Sequence, residues 1–250
     1  YTPDYFRRER GIDVRTNETV VEIGWNYVVT DRGDRVEWDY LVLATGASPV
    51  IPSIPIEGDH VFTIHHPADA VRLREILESM DTVGIIGTGY IGLEVAEALR
   101  FRGKDVIMIG RSSYPLRKSL DEDVGKIIMN ELIKYGVKLR LNEKLLEINN
   151  QGNKQVITTD GGKYVVDAVI IATGIRPNIE LARQLGLRTG ETGAVWVDEH
   201  MRTSAENVYA AGDVAETKNL ITGKPYWHPF GTTANKMGFV AGSNIAGKPM

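Results

Sequence analysis

The sequence predicts an α/β protein made of two domains that share one plan. The first reason is a repeat: residues 39–49 (Asp-Tyr-Leu-Val-Leu-Ala-Thr-Gly-Ala-Ser-Pro) return at residues 167–177 as Asp-Ala-Val-Ile-Ile-Ala-Thr-Gly-Ile-Arg-Pro, so that Asp39 aligns with Asp167. Gly33 and Gly161 precede the two aspartates at the same spacing, so the match extends upstream. The second reason is a glycine-rich turn at residues 87–92, which follows an apolar run and opens a helical pattern. Self-similarity of this kind indicates two copies of one structural unit.

The composition bounds what the protein does. The 250 residues are 42% hydrophobic and 25% charged, which is ordinary for globular proteins and suffices for one large or two medium domains. A net charge of −4 gives no general attraction to nucleic acid or anionic membranes, and no apolar run approaches a membrane span. The lack of cysteine excludes disulfides and thiolate chemistry within these residues. No signal-peptide pattern opens the chain, so we expect a cytoplasmic protein without nucleic-acid or membrane partners.

Residues 1–58 are predicted to be mostly short strands. Apolar and polar residues alternate over 12–43, with a turn at 31–34, and the fully apolar run 41–43 indicates a strand buried on both faces. A proline-rich passage at 49–58 is predicted to be an extended linker, because proline cannot donate to a strand ladder. We place a domain boundary there, which divides the chain into residues 1–58, 59–177 and 178–250.

The middle of the chain alternates strands and helices. The hydrophobic periods predict helices at 67–77, 93–102 and 121–135 and strands at 82–86, 105–109 and 137–141, followed by a hairpin region at 145–166. The pattern loosens after residue 177, where we predict strands at 194–198 and 208–213 and a final helix at 233–246. This order is typical of βαβ units with a parallel sheet.

The glycine-rich turn predicts a Rossmann-like dinucleotide site, because it lies between a strand and a helix. Gly87 permits the tight turn, Gly89 lets a pyrophosphate approach the backbone, and Gly92 lets helix and strand pack closely. The amides and dipole of the helix start then favour the anion. The alternative is a plain glycine-rich turn without a ligand.

The end of the next strand favours NADPH. An NAD site has Asp or Glu there to bind the ribose hydroxyls, whereas this chain has Gly110-Arg111-Ser112, with Arg117 further along the same loop. No acid would repel a 2′-phosphate, and two guanidinium groups can bind one. We therefore predict that NADPH is accepted, with NADH as a second possible donor. The alternative is that both arginines are solvated surface charges.

The two Ala-Thr-Gly units, the glycine-rich turn between them and residues 208–213 (Val-Tyr-Ala-Ala-Gly-Asp) together resemble the pyridine nucleotide-disulfide oxidoreductases. The resemblance runs over essentially the whole chain. It implies two Rossmann-like domains of the FAD/NAD(P)-binding type, with the NAD(P)H domain inserted in a partial FAD domain. The implied cofactors are FAD and NADP or NAD.

The resemblance assigns the nicotinamide site. Tyr90 resembles the family's gate, which moves aside for the nicotinamide, and Glu94 resembles the residue near its carboxamide. The alternatives are simple packing for Tyr90 and a surface loop position for Arg176. The full set of implied NAD(P)H-binding residues is Gly87, Thr88, Gly89, Tyr90, Ile91, Gly92, Glu94, Gly110, Arg111, Arg117, Gly174, Ile175 and Arg176.

The resemblance also assigns a flavin site. Asp213 resembles the carboxylate that binds an FAD ribityl hydroxyl, with a turn or cap residue as the alternative. Residues 228–236 resemble the flavin-facing helix start of coenzyme A-disulfide reductases and NADH oxidases, where a helix dipole favours the reduced anionic flavin. The full set of implied FAD-binding residues is Val20, Ala44, Thr45, Gly46, Gly212, Asp213, Thr232, Thr233 and Ala234.

The implied activity is hydride transfer from NAD(P)H to FAD and then to a small molecule, either coenzyme A disulfide or oxygen. Arg10, in a segment similar to coenzyme A-disulfide reductases, is a candidate for binding a coenzyme A phosphate; a solvated helix face is the favoured interpretation of that basic run. No metal-ligand spacing appears. The alternative function is a nucleotide-binding or redox-sensing module without turnover.

The repeat also predicts an internal fragment. Shifting Gly87 back by the offset between Asp39 and Asp167 gives a position before Tyr1, so we expect the FAD phosphate turn to lie outside this chain. The resemblance implies a reactive cysteine in that upstream part and homodimerisation of the full-length parent. We therefore expect no catalytic nucleophile here, little activity from the chain alone and a colourless purified protein, which an absorption spectrum tests.

Overall fold

The computed structural model describes residues 2–248 and 250, which form two compact units. The first comprises the described residues within Tyr1–Ala47 and Pro177–Met250, and the second comprises Ser48–Arg176. The helices are α1 (Pro3–Arg10), α2 (Pro67–Leu77), α3 (Tyr90–Phe101), α4 (Glu122–Lys134), α5 (Glu180–Gln184) and α6 (Gly231–Ile245). No helix among the described residues has the length and apolar character needed to cross a membrane.

The strands are numbered in chain order. They are β1 (Val20–Gly24), β2 (Tyr27–Thr30), β3 (Arg35–Glu37), β4 (Leu41–Leu43), β5 (Ala47–Pro49), β6 (Val61–Thr63), β7 (Thr82–Ile86), β8 (Asp105–Gly110), β9 (Val137–Leu141), β10 (Leu145–Gln151), β11 (Lys154–Thr159), β12 (Lys163–Val166), β13 (Ala168–Ile171), β14 (Ile175–Pro177), β15 (Val195–Trp196), β16 (Val208–Ala210), β17 (Ala215–Lys218) and β18 (Pro225–Tyr226).

The second unit is built on a five-stranded parallel sheet in the order β6-β13-β7-β8-β9. Helices α2 and α3 cover one face, where Leu73 and Leu99 pack with the strand residues Ile85 and Ile170. The antiparallel sheet β10-β11-β12 supplies a second core that includes Ile157. Burial on both faces explains why the central strands β7, β8 and β13 are mostly apolar in the sequence.

The first unit has smaller sheets. β1, β2 and β3 form an antiparallel sheet, β4 pairs in parallel with β16, and β15, β17 and β18 form a third sheet. One core joins these elements to α5 and α6 through residues such as Leu43, Val195, Val208 and Met237. The short strands β5 and β14, at the two points where the chain passes between the units, pair with each other.

The structure differs from the sequence predictions mainly in irregular segments. We placed the first boundary at residue 58, whereas residues 48–58 belong to the second unit, because Ile56 forms a parallel bridge to Ile148 and packs on that unit's core. The prolines therefore do not produce a free linker. The strands predicted at 194–198 and 208–213 both form but are shorter, as β15 and β16. A 3₁₀ turn replaces the end of the second predicted strand.

Candidate functional site

The glycine-rich turn connects β7 to α3 at the carboxyl edge of the parallel sheet. Gly87 has φ +119°, and a Cβ there would overlap the carbonyl group of Ala172. A Cβ on Gly92 would overlap the carbonyl oxygen of Gly87. Both positions therefore require glycine for reasons of backbone conformation and close packing. The turn is fixed by a hydrogen bond of 2.8 Å from the Gly87 amide to the Ile109 carbonyl oxygen.

The start of α3 is open for a ligand. Gly89 is the N-cap residue, no side chain caps the helix, and no acidic residue lies in its first turn. A Cβ built on Gly89 has no heavy atom of another segment within 4 Å. Tyr90 at the first helical position is 45% exposed, and Glu94 one turn further is exposed too. Uncapped amides and an uncompensated dipole make this helix start suitable for an anion.

The end of β8 lies beside the turn. A Cβ on Gly110 would lie 2.6 Å from the Thr88 Cγ2 atom, so glycine is needed for this approach. The Leu116 amide donates to the Thr88 carbonyl oxygen at 3.0 Å, which ties the loop after β8 to the turn. Arg111 and Arg117 on this loop are exposed, and neither forms an ion pair with any residue that the structure describes.

The second Ala-Thr-Gly follows β13, the parallel neighbour of β7, and so reaches the same sheet edge. The Thr173 hydroxyl donates to the Val50 carbonyl oxygen at 2.6 Å, and the Val50 amide donates to the Gly174 carbonyl oxygen at 2.9 Å. Gly174 has φ +122° with open space at its Cβ position, and Arg176 is exposed in β14 beside the half-buried Ile175. The structure therefore brings both groups of predicted NAD(P)H residues to one edge.

The first Ala-Thr-Gly repeats this hydrogen bonding. The Thr45 hydroxyl donates to the Asn178 carbonyl oxygen at 2.6 Å, and the Asn178 amide donates to the Gly46 carbonyl oxygen at 2.9 Å. Asn178 follows β14 directly, as Val50 follows β5, so the two residues are equivalent positions of the repeat. Each threonine thus binds the residue after the last strand of the other copy. Sequence reasoning missed this exchange, which gives both threonines a structural contact.

Most of the predicted FAD residues lie on adjacent elements of the first unit. Residues 44–46 follow β4 and Gly212 and Asp213 follow its parallel neighbour β16, so both segments leave the same edge. Gly212 has φ +79°, and a Cβ there would contact Ala234 of α6 at 3.4 Å. The Asp213 carboxylate has no hydrogen-bond partner among the described residues. Val20 instead pairs with Thr30 in the hairpin sheet.

The start of α6 is also uncapped by any side chain and carries no acid in its first turn. Thr232 is exposed and Thr233 half-buried. The His228 Nδ1 atom lies 2.8 Å from the Thr233 Oγ1 atom, and its ring lies 4.2 Å from that of Phe230 and 5.4 Å from that of Tyr226. The sequence analysis placed His228 in the segment that resembles a flavin-facing helix start but did not predict the contact of its ring with Thr233.

The remaining candidates lie apart from these groups. Arg10 is exposed in the last turn of α1, a helix without buried residues, and no ion pair involves it among the described residues. In the described part of the chain, no three His, Cys, Asp or Glu side chains cluster as metal ligands.

Comparison with known proteins gives the family. Residues 4–233 match the pyridine nucleotide-disulphide oxidoreductase family. The NAD(P)H sulfur oxidoreductase (CoA-dependent) of Pyrococcus furiosus is 52% identical over 99% of this chain and 57% of that protein. The NAD-dependent persulfide reductase of A. fulgidus superposes with a TM-score of 0.94 at 40% identity, covering 98% of this chain and 47% of that one.

A third relative was solved with its nucleotide bound. An engineered water-forming NADPH oxidase bound to NADPH superposes with a TM-score of 0.93 at 30% identity, covering 100% of this chain and 57% of that one. Its substitutions include an aspartate changed to alanine, the next two residues changed to arginine and serine, and a later proline changed to arginine. This chain spans about half the length of these relatives. Because the match covers most of its residues, the chain belongs to the pyridine nucleotide-disulphide oxidoreductase family.

Proposed function

We propose that the second unit binds NADPH, and also NADH, as the hydride donor of a flavoprotein oxidoreductase. The observation that carries this proposal is the uncapped start of α3 at Gly89, with open space beside it and two exposed arginines on the adjoining loop. The helix start suits the pyrophosphate, and Arg111 and Arg117 suit the 2′-phosphate. A solved relative engineered for NADPH supports the assignment, since it gained the pattern Arg-Ser and a later Arg at the spacing of Arg111, Ser112 and Arg117.

Within this proposal, the remaining residues of the edge have separate roles. Tyr90 covers the nicotinamide position until the dinucleotide enters, which its exposure at the helix start permits. Glu94 accepts a hydrogen bond from the carboxamide. Gly174 leaves space beside the ligand, and Ile175 and Arg176 line the entrance. These roles rest on the family resemblance together with the positions at one sheet edge.

We propose further that the first unit contributes part of an FAD site. The residues fit this cofactor, because the start of α6 is uncapped and the Asp213 carboxylate has an unused acceptor for a ribityl hydroxyl. FAD, when bound, supplies the two-electron chemistry that links the dinucleotide to the final acceptor. Thr232, Thr233 and Ala234 would present backbone amides to it, and His228 would hold Thr233 in place. The prediction of a colourless purified chain remains a prediction.

The final acceptor of the whole protein is proposed to be a small molecule. The Pyrococcus relative is named for CoA-dependent sulfur reduction and the engineered relative for oxygen reduction to water, so both a coenzyme A-linked sulfur species and oxygen are candidates. Sulfur chemistry is favoured because the relative at 52% identity has it. A cytoplasmic location, a homodimeric parent protein and the coenzyme A contact of Arg10 remain predictions.

Titration calorimetry with NADPH and NADH tests the proposal. We expect that Arg111→Ala and Arg117→Ala each weaken NADPH binding by about tenfold and change NADH binding by less than about twofold, because each loses a charged hydrogen bond to the 2′-phosphate. Arg102→Ala is the matched control, since Arg102 is an exposed arginine at the opposite end of α3. Equal losses for the two nucleotides, or none, would contradict the assignment.

A further inference from the structure

The loop that carries Arg111 is hydrogen-bonded through its backbone to the connection between β9 and β10. The Glu143 amide donates to the Gly110 carbonyl oxygen at 3.0 Å, and the Asn142 amide donates to the Ser112 carbonyl oxygen at 3.2 Å. These two acceptors are the residues on either side of Arg111. The backbone that carries its guanidinium is thus fixed at both flanks by residues from a distant part of the sequence.

The Glu143 side chain joins this connection to strands β11 and β12. Its carboxylate accepts from the Thr159 hydroxyl at 2.5 Å and from the Tyr164 hydroxyl at 2.8 Å. The Thr159 oxygen itself accepts from the amides of Gly161 and Gly162 at 3.1 and 3.0 Å. The Thr159 hydroxyl also lies 3.2 Å from the Gly162 carbonyl oxygen, so the Glu143 carboxylate is the nearer of its two acceptors.

Gly161, in the turn between β11 and β12, leaves room for the Glu143 carboxylate. A Cβ on Gly161 would lie 2.5 Å from the Glu143 carboxyl carbon, so the side chain occupies the space that any larger residue would fill. Burial raises the pKa of Tyr164, and its hydrogen bond to Glu143 raises it further. Tyr164 therefore stays a donor throughout the neutral range. The Arg140 guanidinium lies 5.5 Å from the centre of the Tyr164 ring.

We propose that Glu143 is a positioning residue. Together with Thr159 and Tyr164, it holds the backbone of Arg111 where the guanidinium binds the 2′-phosphate of a dinucleotide. This inference rests on the proposed NADPH site. Charge-assisted hydrogen bonds are stronger than neutral ones and fix geometry. Supporting residues of this kind determine how precisely a binding group is placed. Loosening the network affects the end of the ligand that Arg111 contacts and leaves the pyrophosphate position at Gly89 unchanged.

The test combines nucleotide affinity with amide hydrogen exchange. In Tyr164→Phe and Glu143→Gln, we expect NADPH binding to weaken about three- to tenfold and NADH binding to change by less than about twofold. The amides of Asn142 and Glu143 should exchange faster in both variants without any ligand. Tyr135→Phe is the matched control, because Tyr135 is a 65% exposed tyrosine of the same unit.

The outcomes separate this inference from the proposed function. Unchanged exchange at residues 142–143 in both variants would overturn the inference, whatever nucleotide the chain binds. Equal weakening of NADPH and NADH would also overturn it, since a general loss of structure does not discriminate. If the unaltered chain bound neither nucleotide, the proposed function would be wrong. The amide hydrogen exchange of residues 142–143 in the variants would then decide whether Glu143 holds the loop. Thr159→Val, which removes a different donor, must reproduce the effect if the other variants perturb folding.

Discussion

The two copies of the repeat share a backbone plan but differ in burial. Strands β1 to β5 correspond to β10 to β14 when Asp39 is aligned with Asp167. β13 lies between two parallel neighbours and all four of its residues are buried, whereas β4 has one neighbour in the described part of the chain and Val42 is 41% exposed. The local apolar sequence therefore determines that a strand forms, and the neighbouring elements determine how much of its side-chain surface is buried.

Equivalent positions of the repeat also have different physical reasons for their residues. Gly33 has φ +85° and open space at its Cβ position, so its backbone conformation requires glycine. Gly161 instead makes room for the Glu143 carboxylate. The residue that corresponds to Glu143 is Arg15, which forms ion pairs with acids of its own copy, including Asp34 at 3.7 Å. Equivalent positions of this internal repeat therefore share their backbone structure more closely than they share side-chain contacts.

The largest expected difference concerns the buried strands. Ile170→Ala should destabilise the second unit by about 3–4 kcal/mol, because it leaves a cavity at a fully buried position. The corresponding Val42→Ala should cost roughly 1 kcal/mol or less. Urea unfolding followed by circular dichroism measures both, and tryptophan fluorescence reports the first unit, where all four tryptophans lie. Similar costs would show that the described burial difference is wrong.

The two aspartates of the repeat should differ next. The Asp167 carboxylate accepts from the amides of Asp81 and Thr82 and forms an ion pair with Lys154, whereas Asp39 is exposed. Asp167→Asn should cost about 2–3 kcal/mol, because it weakens bonds to a buried charge, and Asp39→Asn less than about 0.5 kcal/mol. Free energies of unfolding of the two variants and the unaltered chain, measured at pH 7, check this difference.

The same pair predicts a dependence on pH. Burial opposes the charge of Asp167, but the bonds from Lys154 and two amides outweigh it and lower its pKa. Its stabilisation is therefore present above the unfolded pKa, about 3.9, and is lost as the pH falls through the lower folded pKa. Unfolding measured between pH 2 and 7 should show a shallower acid decline in Asp167→Asn. An unchanged profile would contradict the assignment.

The glycines give a smaller and more specific test. Gly161→Ala should cost about 2 kcal/mol by displacing the Glu143 carboxylate from its hydroxyl donors, and Gly33→Ala about 1 kcal/mol through its positive φ. Adding Glu143→Ala should recover much of the first loss. Adding Arg15→Ala should recover none of the second. A double-mutant cycle without coupling between positions 143 and 161 would break this part of the comparison.

The smallest difference is expected between the threonines. Thr45→Val and Thr173→Val each remove one hydroxyl bond of equal length, so each should destabilise its unit by about 1 kcal/mol. Unfolding free energies that differ by more than about 0.5 kcal/mol would show that the exchange is symmetric in geometry but not in energy.

Sequence reasoning succeeded where the signal is local. The apolar runs of β7, β8 and β13 and the turn at Gly87–Gly92 are determined by nearby residues, and the structure has them at those places. The exchange between Thr45 and Asn178 joins positions far apart in the chain, so no local pattern shows it. Glu143 is one acid in a polar loop and becomes informative only when Tyr164 folds against it. The position of His228 is hidden for the same reason.

We propose above all that the second unit binds the dinucleotide at the glycine-rich turn that it contains. Amide hydrogen exchange with and without saturating NADPH tests it most directly, because it reports both copies in one experiment. We predict slower exchange at residues 88–93 and 110–112 on adding NADPH, and no change at residues 41–47 of the first copy. Protection confined to the first copy, or none at the glycine-rich turn, would contradict the account.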